Sequence, residues 1–149
     1  MKSFIGTFEN KIDSKGRISV PATFRAVINA KSLNSVICYS SLTGPCIEGC
    51  GLDRIEKMVE ALPDQPIPGK SEDTIAHLIF SSARELIFDS GGRIVLPNDF
   101  TQNANINDYG AFVGKGKTFQ IWNPKKLKEV QSRMLASLIS ERKDRLEER

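Results

Sequence analysis

The chain has 149 residues, of which 40% are hydrophobic and 26% charged, a balance that feeds a packed core and excludes a largely disordered chain. Its 21 basic and 18 acidic residues leave a net charge of +3, too mild to identify a polyanionic partner, which needs a local basic patch rather than a high total. Residues 1–75 carry nine groups of each sign, whereas residues 76–149 carry twelve basic and nine acidic ones; that excess reads either as a solvated basic tail or as a functional patch.

The N-terminal residues Met1 to Gly6 hold one lysine and no continuous apolar run, and Glu9 and Lys11 follow closely. Neither a signal peptide nor a membrane span is expected, and the cysteine usage, which reads as reduced thiols, makes the expected compartment cytoplasmic. Asp13-Ser14-Lys15-Gly16 is turn chemistry: aspartate accepts backbone hydrogens and glycine allows a positive φ. Ile18 and Val20 then alternate with Ser19 at the period of a half-buried strand. A β-hairpin is expected, with Arg17 at the start of its return strand. Pro21 suits the first turn of a short helix with Phe24 pointing inward. An apolar run follows at Val36–Tyr39, then a turn at Thr43-Gly44-Pro45, then Cys46-Ile47-Glu48, then a helix-like stretch from Leu52 to Leu62.

Residues Pro63 to Ser71 contain three prolines within six positions and read as a semi-rigid connector. Ser71 to Ala83 reads as a helix leading into a second hairpin. Ala111-Phe112-Val113, a turn at Gly114–Lys117 and Phe119–Trp122 mirror the strands of the first half. Asn123-Pro124 is an N-cap with proline at the first helical position. Leu127, Val130, Met134, Leu138 and Ile139 continue at helical spacing, and the charged run from Glu141 to Arg149 is expected to fray.

The strongest internal signal is a repeat. Residues 13–24 read DSKGRISVPATF and residues 89–100 read DSGGRIVLPNDF, identical at seven of twelve positions, where composition alone gives about one. The offset of 76 residues exceeds the roughly 20–50 residues of solenoid units. The expectation is a duplicated unit: a first repeat over 1–62, a linker over 63–75, and a second repeat with a C-terminal helix over 76–149.

The three cysteines, Cys38, Cys46 and Cys50, form no C-x-x-C pair, and the single histidine, His77, lies far away in sequence. Buried or half-buried reduced thiols are expected, with no metal and no cofactor. His77 sits among Ile75, Leu78, Ile79 and Phe80 and reads as packed or interfacial rather than as a base. Ala111 to Thr118, AFVGKGKT, resembles a relaxed phosphate-binding loop. Such a loop must lead into a helix whose N-terminus faces the phosphates, yet Phe119–Trp122 reads as a strand. A hairpin loop is expected, and the chain is read as a non-enzyme; ATP hydrolysis lost on Lys117→Ala would speak for the opposite.

The repeated motif carries the most suggestive chemistry. Arginine pairs bidentately with guanine O6 and N7 in the major groove, which a two-stranded β-ribbon can enter. Lys15, Arg17 and Arg93 are therefore candidate DNA contacts. Asp13 with Gly16, and Asp89 with Gly92, would order the two turns. The plainer reading is an exposed turn with a surface ion pair; two copies in identical surroundings weigh against it, although duplication alone shows only common descent. Gly91 stands where the first copy has Lys15, so the second turn is expected to bind phosphate less well.

Residues 4–25, from Phe4-Ile5-Gly6-Thr7 through the first motif to Arg25, closely resemble the N-terminal signature of the MraZ family. Ala83-Arg84-Glu85, Val113-Gly114-Lys115-Gly116 and Phe119–Trp122 extend the resemblance over nearly the whole chain. It implies an AbrB-like swapped-hairpin fold, mainly β with short helices (α+β), in which two repeats interleave into one pseudo-symmetric domain. It also implies a ring-shaped homo-oligomer that binds double-stranded promoter DNA at short G-rich direct repeats. Such a protein is nucleoid-associated and represses its own operon of division and cell-wall genes. DNA contact then falls on Arg17 and Arg93, with Lys15 beside them. The competing expectation is a ring-forming protein-interaction module without direct promoter binding. The sequence departs from the family pattern at Gly91 and in the polar stretch from Thr101 to Asn105.

Overall fold

The computed structural model describes residues 2–65 and 67–148; Met1, Pro66 and Arg149, on which parts of the expected N-terminal stretch, linker and charged tail fall, lie outside the described residues. Strand β1 (Thr7–Lys11) runs into the first motif turn and strand β2 (Arg17–Ser19) leaves it. Helix α1 (Ala22–Asn29) starts after Pro21 and buries Phe24, Val27 and Ile28. Strands β3 (Ser35–Ser40) and β4 (Ile47–Cys50) form a hairpin, and helix α2 (Leu52–Glu60) follows. Helix α3 (Ser71–Ser82) leads to strand β5 (Arg84–Ile87), the second turn and strand β6 (Arg93–Val95). Helix α4 (Asn98–Asn103), strands β7 (Tyr109–Gly114) and β8 (Phe119–Trp122), and helix α5 (Pro124–Glu147) complete the chain.

The long strands make one six-stranded sheet in the order β1-β7-β8-β4-β3-β5, with every neighbouring pair antiparallel. Exchanging each strand for its counterpart in the other repeat (β1 for β5, β3 for β7, β4 for β8) leaves this order unchanged when read from the other edge. Each repeat therefore lends its first strand to the other: β1 pairs with β7 of the second half, and β5 pairs with β3 of the first. The sheet is antiparallel, with short helices and a C-terminal helix, as the fold class implied by the resemblance requires.

The simple hairpin expected at each motif is corrected by this pairing. β1 and β2 form no strand ladder with each other; they are linked by the isolated bridge between Ile12 and Ile18, by Asp13 N–H donating to Arg17 O and by Asn10 Nδ2 donating to Ser19 O. β2 instead pairs with β6, in the register Arg17–Val95, Ile18–Ile94 and Ser19–Arg93. Val20 N–H donates to Gly92 O and Leu96 N–H to Gly16 O, so the ribbon continues into both turns. The physical reason is burial. Crossing the two return strands sets Ile18 and Ile94 side by side, and both are buried together with Val20 and Leu96. The ribbon lays these side chains on the core that also holds Phe4, Phe24, Phe100, Phe112 and Phe119. At about 25 cal/mol per Å² of apolar surface removed from water, covering four such side chains outweighs any gain from a local hairpin.

The remaining expectations divide. Asn123 accepts from Lys126 N–H as an N-cap, with Pro124 at the first position of α5. Leu127 and Val130 pack on Cys46, Ala111, Val113 and Trp122. Within the described residues the charged run is helical: α5 continues to Glu147, without an internal glycine or proline to break it and with Glu141 and Arg145 paired at 2.8 Å across one turn. Cys38, Cys46 and Cys50 are free and buried. Burial pushes the thiols of Cys46 and Cys50 up to about 12 and that of Cys38 higher still, so none is a poised nucleophile. His77 is exposed on α3 rather than packed in this chain. Among the described residues no helix is long and apolar enough to cross a membrane.

Candidate nucleic-acid interface

Each motif folds around its aspartate. Asp13 Oδ1 accepts from the backbone N–H of Lys15 and of Arg17, both at 2.9 Å. Its Oδ2 accepts from Arg17 Nε at 2.6 Å. The second turn repeats this pattern: Asp89 Oδ1 accepts from the N–H of Gly91 and Arg93, and Oδ2 from Arg93 Nε, all at 2.9 Å. Gly16 and Gly92 close the turns at φ +80 and +76, a conformation in which a Cβ is strained. The backbone N–H of the arginine is the main cause that holds each carboxyl below the usual aspartate range, with the guanidinium and the second turn amide adding to it. Both aspartates are thus anions at neutral pH, and both work as struts.

Because Ile18 and Ile94 point inward, the alternating residues of the ribbon point outward. The outer face therefore carries Arg17 opposite Val95 and Ser19 opposite Arg93. The ribbon brings the two arginines, far apart in sequence, onto one surface. Asp13 Oδ2, which holds Arg17, also lies 3.9 Å from Arg93 Nη1. Both guanidiniums are gripped through Nε. Among the described residues the Nη groups of Arg17 make no hydrogen bond, and those of Arg93 only approach Asp13. Each arginine thus presents a terminal pair of donors from a fixed stem, the geometry that bidentate recognition of a planar acceptor pair demands. Lys15 stands exposed on the first turn, and Gly91 leaves the second turn bare.

The support beneath the two turns differs. Arg25 on α1 donates from Nε to Val20 O at 3.1 Å. Its guanidinium lies so close over Gly92 that a Cβ there would overlap it. The residue 76 positions on is Thr101, too short to fill the matching place. A cleft of ≈ 480 Å³ opens there instead, bounded by Asp13, Ser14, Gly16, Asn98, Thr101 and Gln102 among others. Arg25 and Val95 were not singled out in the sequence. The only available signal was the mismatch of the two repeats at those positions, Arg25 against Thr101 and Ser19 against Val95.

The glycine-rich stretch from Gly114 to Thr118 is the loop of the β7–β8 hairpin, closed by Lys115 N–H to Thr118 O at 2.8 Å. No helix begins there, so it lacks the N-terminus that a phosphate loop uses.

A family model described as "MraZ protein, putative antitoxin-like" matches residues 3–57 and 79–149. Similar curated proteins include the transcriptional regulator MraZ of Rhodospirillum rubrum, 44% identical over 135 residues that cover 89% of this chain and 87% of that protein. The transcriptional regulator MraZ of Rickettsia bellii is 41% identical over 130 residues, 87% of each chain. The protein of the same name from Pelagibacter ubique is 45% identical over 121 residues, 81% of this chain and 78% of its own.

Proposed function

The chain belongs to the MraZ family, and on that premise we propose that it is a sequence-specific DNA-binding transcriptional regulator whose reading head is the β2–β6 ribbon. The observation that carries this reading is the outward pairing of Arg17 and Arg93, each clamped through Nε by its motif aspartate. A two-stranded ribbon fits the major groove, and arginine is the usual reader of guanine there. Lys15 adds a phosphate contact that gives salt-dependent affinity without sequence information. In this scheme the targets are short G-rich direct repeats upstream of its own operon, binding represses that operon of division and cell-wall genes, and the protein resides on the nucleoid.

One ribbon offers only two arginines, partly offset by two aspartates, so a single contact is weak. A ring of copies engaging repeated sites gains affinity because each bound ribbon raises the effective concentration of the next. What supports self-association is α5: past Val130 it leaves the body of the chain with Met134, Leu135, Leu138 and Ile139 exposed, while α3 exposes Ile75 and Leu78. The units 1–62 and 76–149, joined by 63–75, act in this reading as two halves of one DNA-binding domain.

The deciding experiment is a mobility shift on DNA from upstream of the chain's own gene, across a salt series, with wild type and the Lys15→Ala/Arg17→Ala variant. Specific, salt-sensitive binding by wild type that is lost in the variant is the expected result. No specific binding at low salt by an intact oligomer would overturn it and favour a protein-interaction role for the same assembly.

A further inference from the structure

The ribbon's outer face is two-fold in backbone but not in chemistry. Of its four outward residues, three are polar: Arg17, Ser19 and Arg93. The fourth, Val95, is apolar and 53% exposed, directly across from Arg17 and with its Cγ1 towards the Gly16 side of the turn. Its counterpart in the first repeat is Ser19, across from Arg93. A lone exposed valine on a strand needs no special explanation. This one, however, shares a surface with both candidate base-reading arginines, so whatever Arg17 meets, Val95 meets beside it.

In the major groove the one apolar group that marks a base is the C5-methyl of thymine, which small apolar side chains recognise by contact. We propose that Val95 is a specificity-determining residue that packs on the thymine methyl next to the guanine read by Arg17. This deepens the DNA-binding reading and rests on it. The Arg17–Val95 end of the ribbon then selects guanine beside thymine, while the Arg93–Ser19 end selects guanine with no demand for a neighbouring methyl. A reader with unlike ends distinguishes an element from its reverse complement, so the ribbon binds a non-palindromic site in one orientation. Lys15 at the first turn and Gly91 at the second break the symmetry in the same sense.

The test exchanges a single chemical group. Duplexes of the upstream region are prepared with thymine throughout or with deoxyuridine throughout, which removes only the C5-methyl, and full-length protein is titrated against both. Wild type should bind the thymine duplex more tightly, by about fourfold for each contacted methyl, the factor that corresponds to burying one methyl-sized group. Val95→Ser should bind the two duplexes alike. Val95→Thr, which keeps one methyl, should restore the preference and guards against a Val95→Ser variant that fails to fold. A wild type that binds both duplexes specifically and equally overturns the role of Val95 but leaves the DNA-binding reading intact. So does a thymine preference of the same size in wild type and Val95→Ser, because that preference would then come from duplex shape. Failure of wild type to bind either duplex overturns both.

Discussion

The two repeats share a turn and differ in what stands behind it. In the first half, α1 buries Phe24, Val27 and Ile28. The Phe24 ring lies 5.3–6.2 Å from the rings of Phe4, Phe8, Phe112 and Phe119. In the second half, α4 is two residues shorter than α1 and buries only Phe100. The Phe100 ring is covered on one side by the Arg84 guanidinium at 5.0 Å, itself held by Asp99 at 2.8 Å through both terminal nitrogens. Because the halves interlock, the better-packed helix does not brace its own turn: Arg25 of α1 lies over Gly92 of the second turn, and the first turn borders the open cleft. Support and charge are thus divided. The second turn has the firmer floor, and the first has the lysine. Duplication kept the residues the turn geometry needs and let the surroundings specialise.

The largest expected separation between the halves is in stability. Phe24→Ala should cost about 4 kcal/mol, and Phe100→Ala, at the edge of a shorter and more exposed helix, about 3 kcal/mol. Urea midpoints at constant slope measure both, and equal losses would show that the aromatic cluster adds nothing to Phe24 beyond its own burial. Next comes DNA affinity. Arg17→Ala should weaken specific binding by about 2 kcal/mol, and Arg93→Ala by less. Lys15→Ala should reduce the slope of log affinity against log salt by about 1, whereas Gly91→Lys should raise it by about 1. A Cβ at Gly91 meets only Asp89 Oδ1 at 3.4 Å and Arg93 Nε at 3.7 Å, so the added lysine fits. Equal effects at Arg17 and Arg93 would mean that the two ends of the ribbon contribute alike.

The smallest effect is in acid. Asp13 and Asp89 have carboxyls depressed below their unfolded values, chiefly by the arginine N–H each accepts from. A depressed acid stabilises the folded turn fully above the unfolded value, near pH 4, and loses that contribution as pH falls through the folded value. Both turns should therefore be insensitive between pH 5 and 8 and loosen only below about pH 4. The amide resonances of Lys15, Arg17, Gly91 and Arg93 report this by NMR. Midpoints at the ordinary aspartate value would mean that the carboxylates do not hold the turns.

The sequence made the turns legible because their chemistry is local. Asp13 and Gly16 are three positions apart, and Asn123-Pro124 names a helix start by itself. The same holds for Phe24, whose place after Pro21 puts it on the inner side of a short helix. Pairing was a different matter. A three-residue strand such as Arg17–Ser19 has the right period but nothing in it that names a partner, and the nearest strand in sequence was the natural guess. The crossing with β6 depends on burying Ile18 against Ile94, a gain visible only once both halves are assembled. The candidate site shares that limit. Each arginine could be singled out on its own, but their shared surface with Val95, and the reach of Arg25 to the opposite turn, exist only through the interleaving.

The pairing of β1 with β7 sets an order of events during synthesis. Thr7 finds its partner only when Val113 has been made, and at about 5–20 residues per second the ribosome takes on the order of 5–20 s to get there. For that interval the nascent first half displays an unpaired strand edge together with Ile18, Val20 and Phe24, side chains that end up buried. Neighbouring ribosomes on one message hold the same fragment at other stages, the circumstance in which interleaved folds are exposed to misassembly between chains. A product stalled in the proline-rich connector carries the Asp13–Arg17 motif in its sequence, yet without β6 it has no ribbon and no second arginine beside the first.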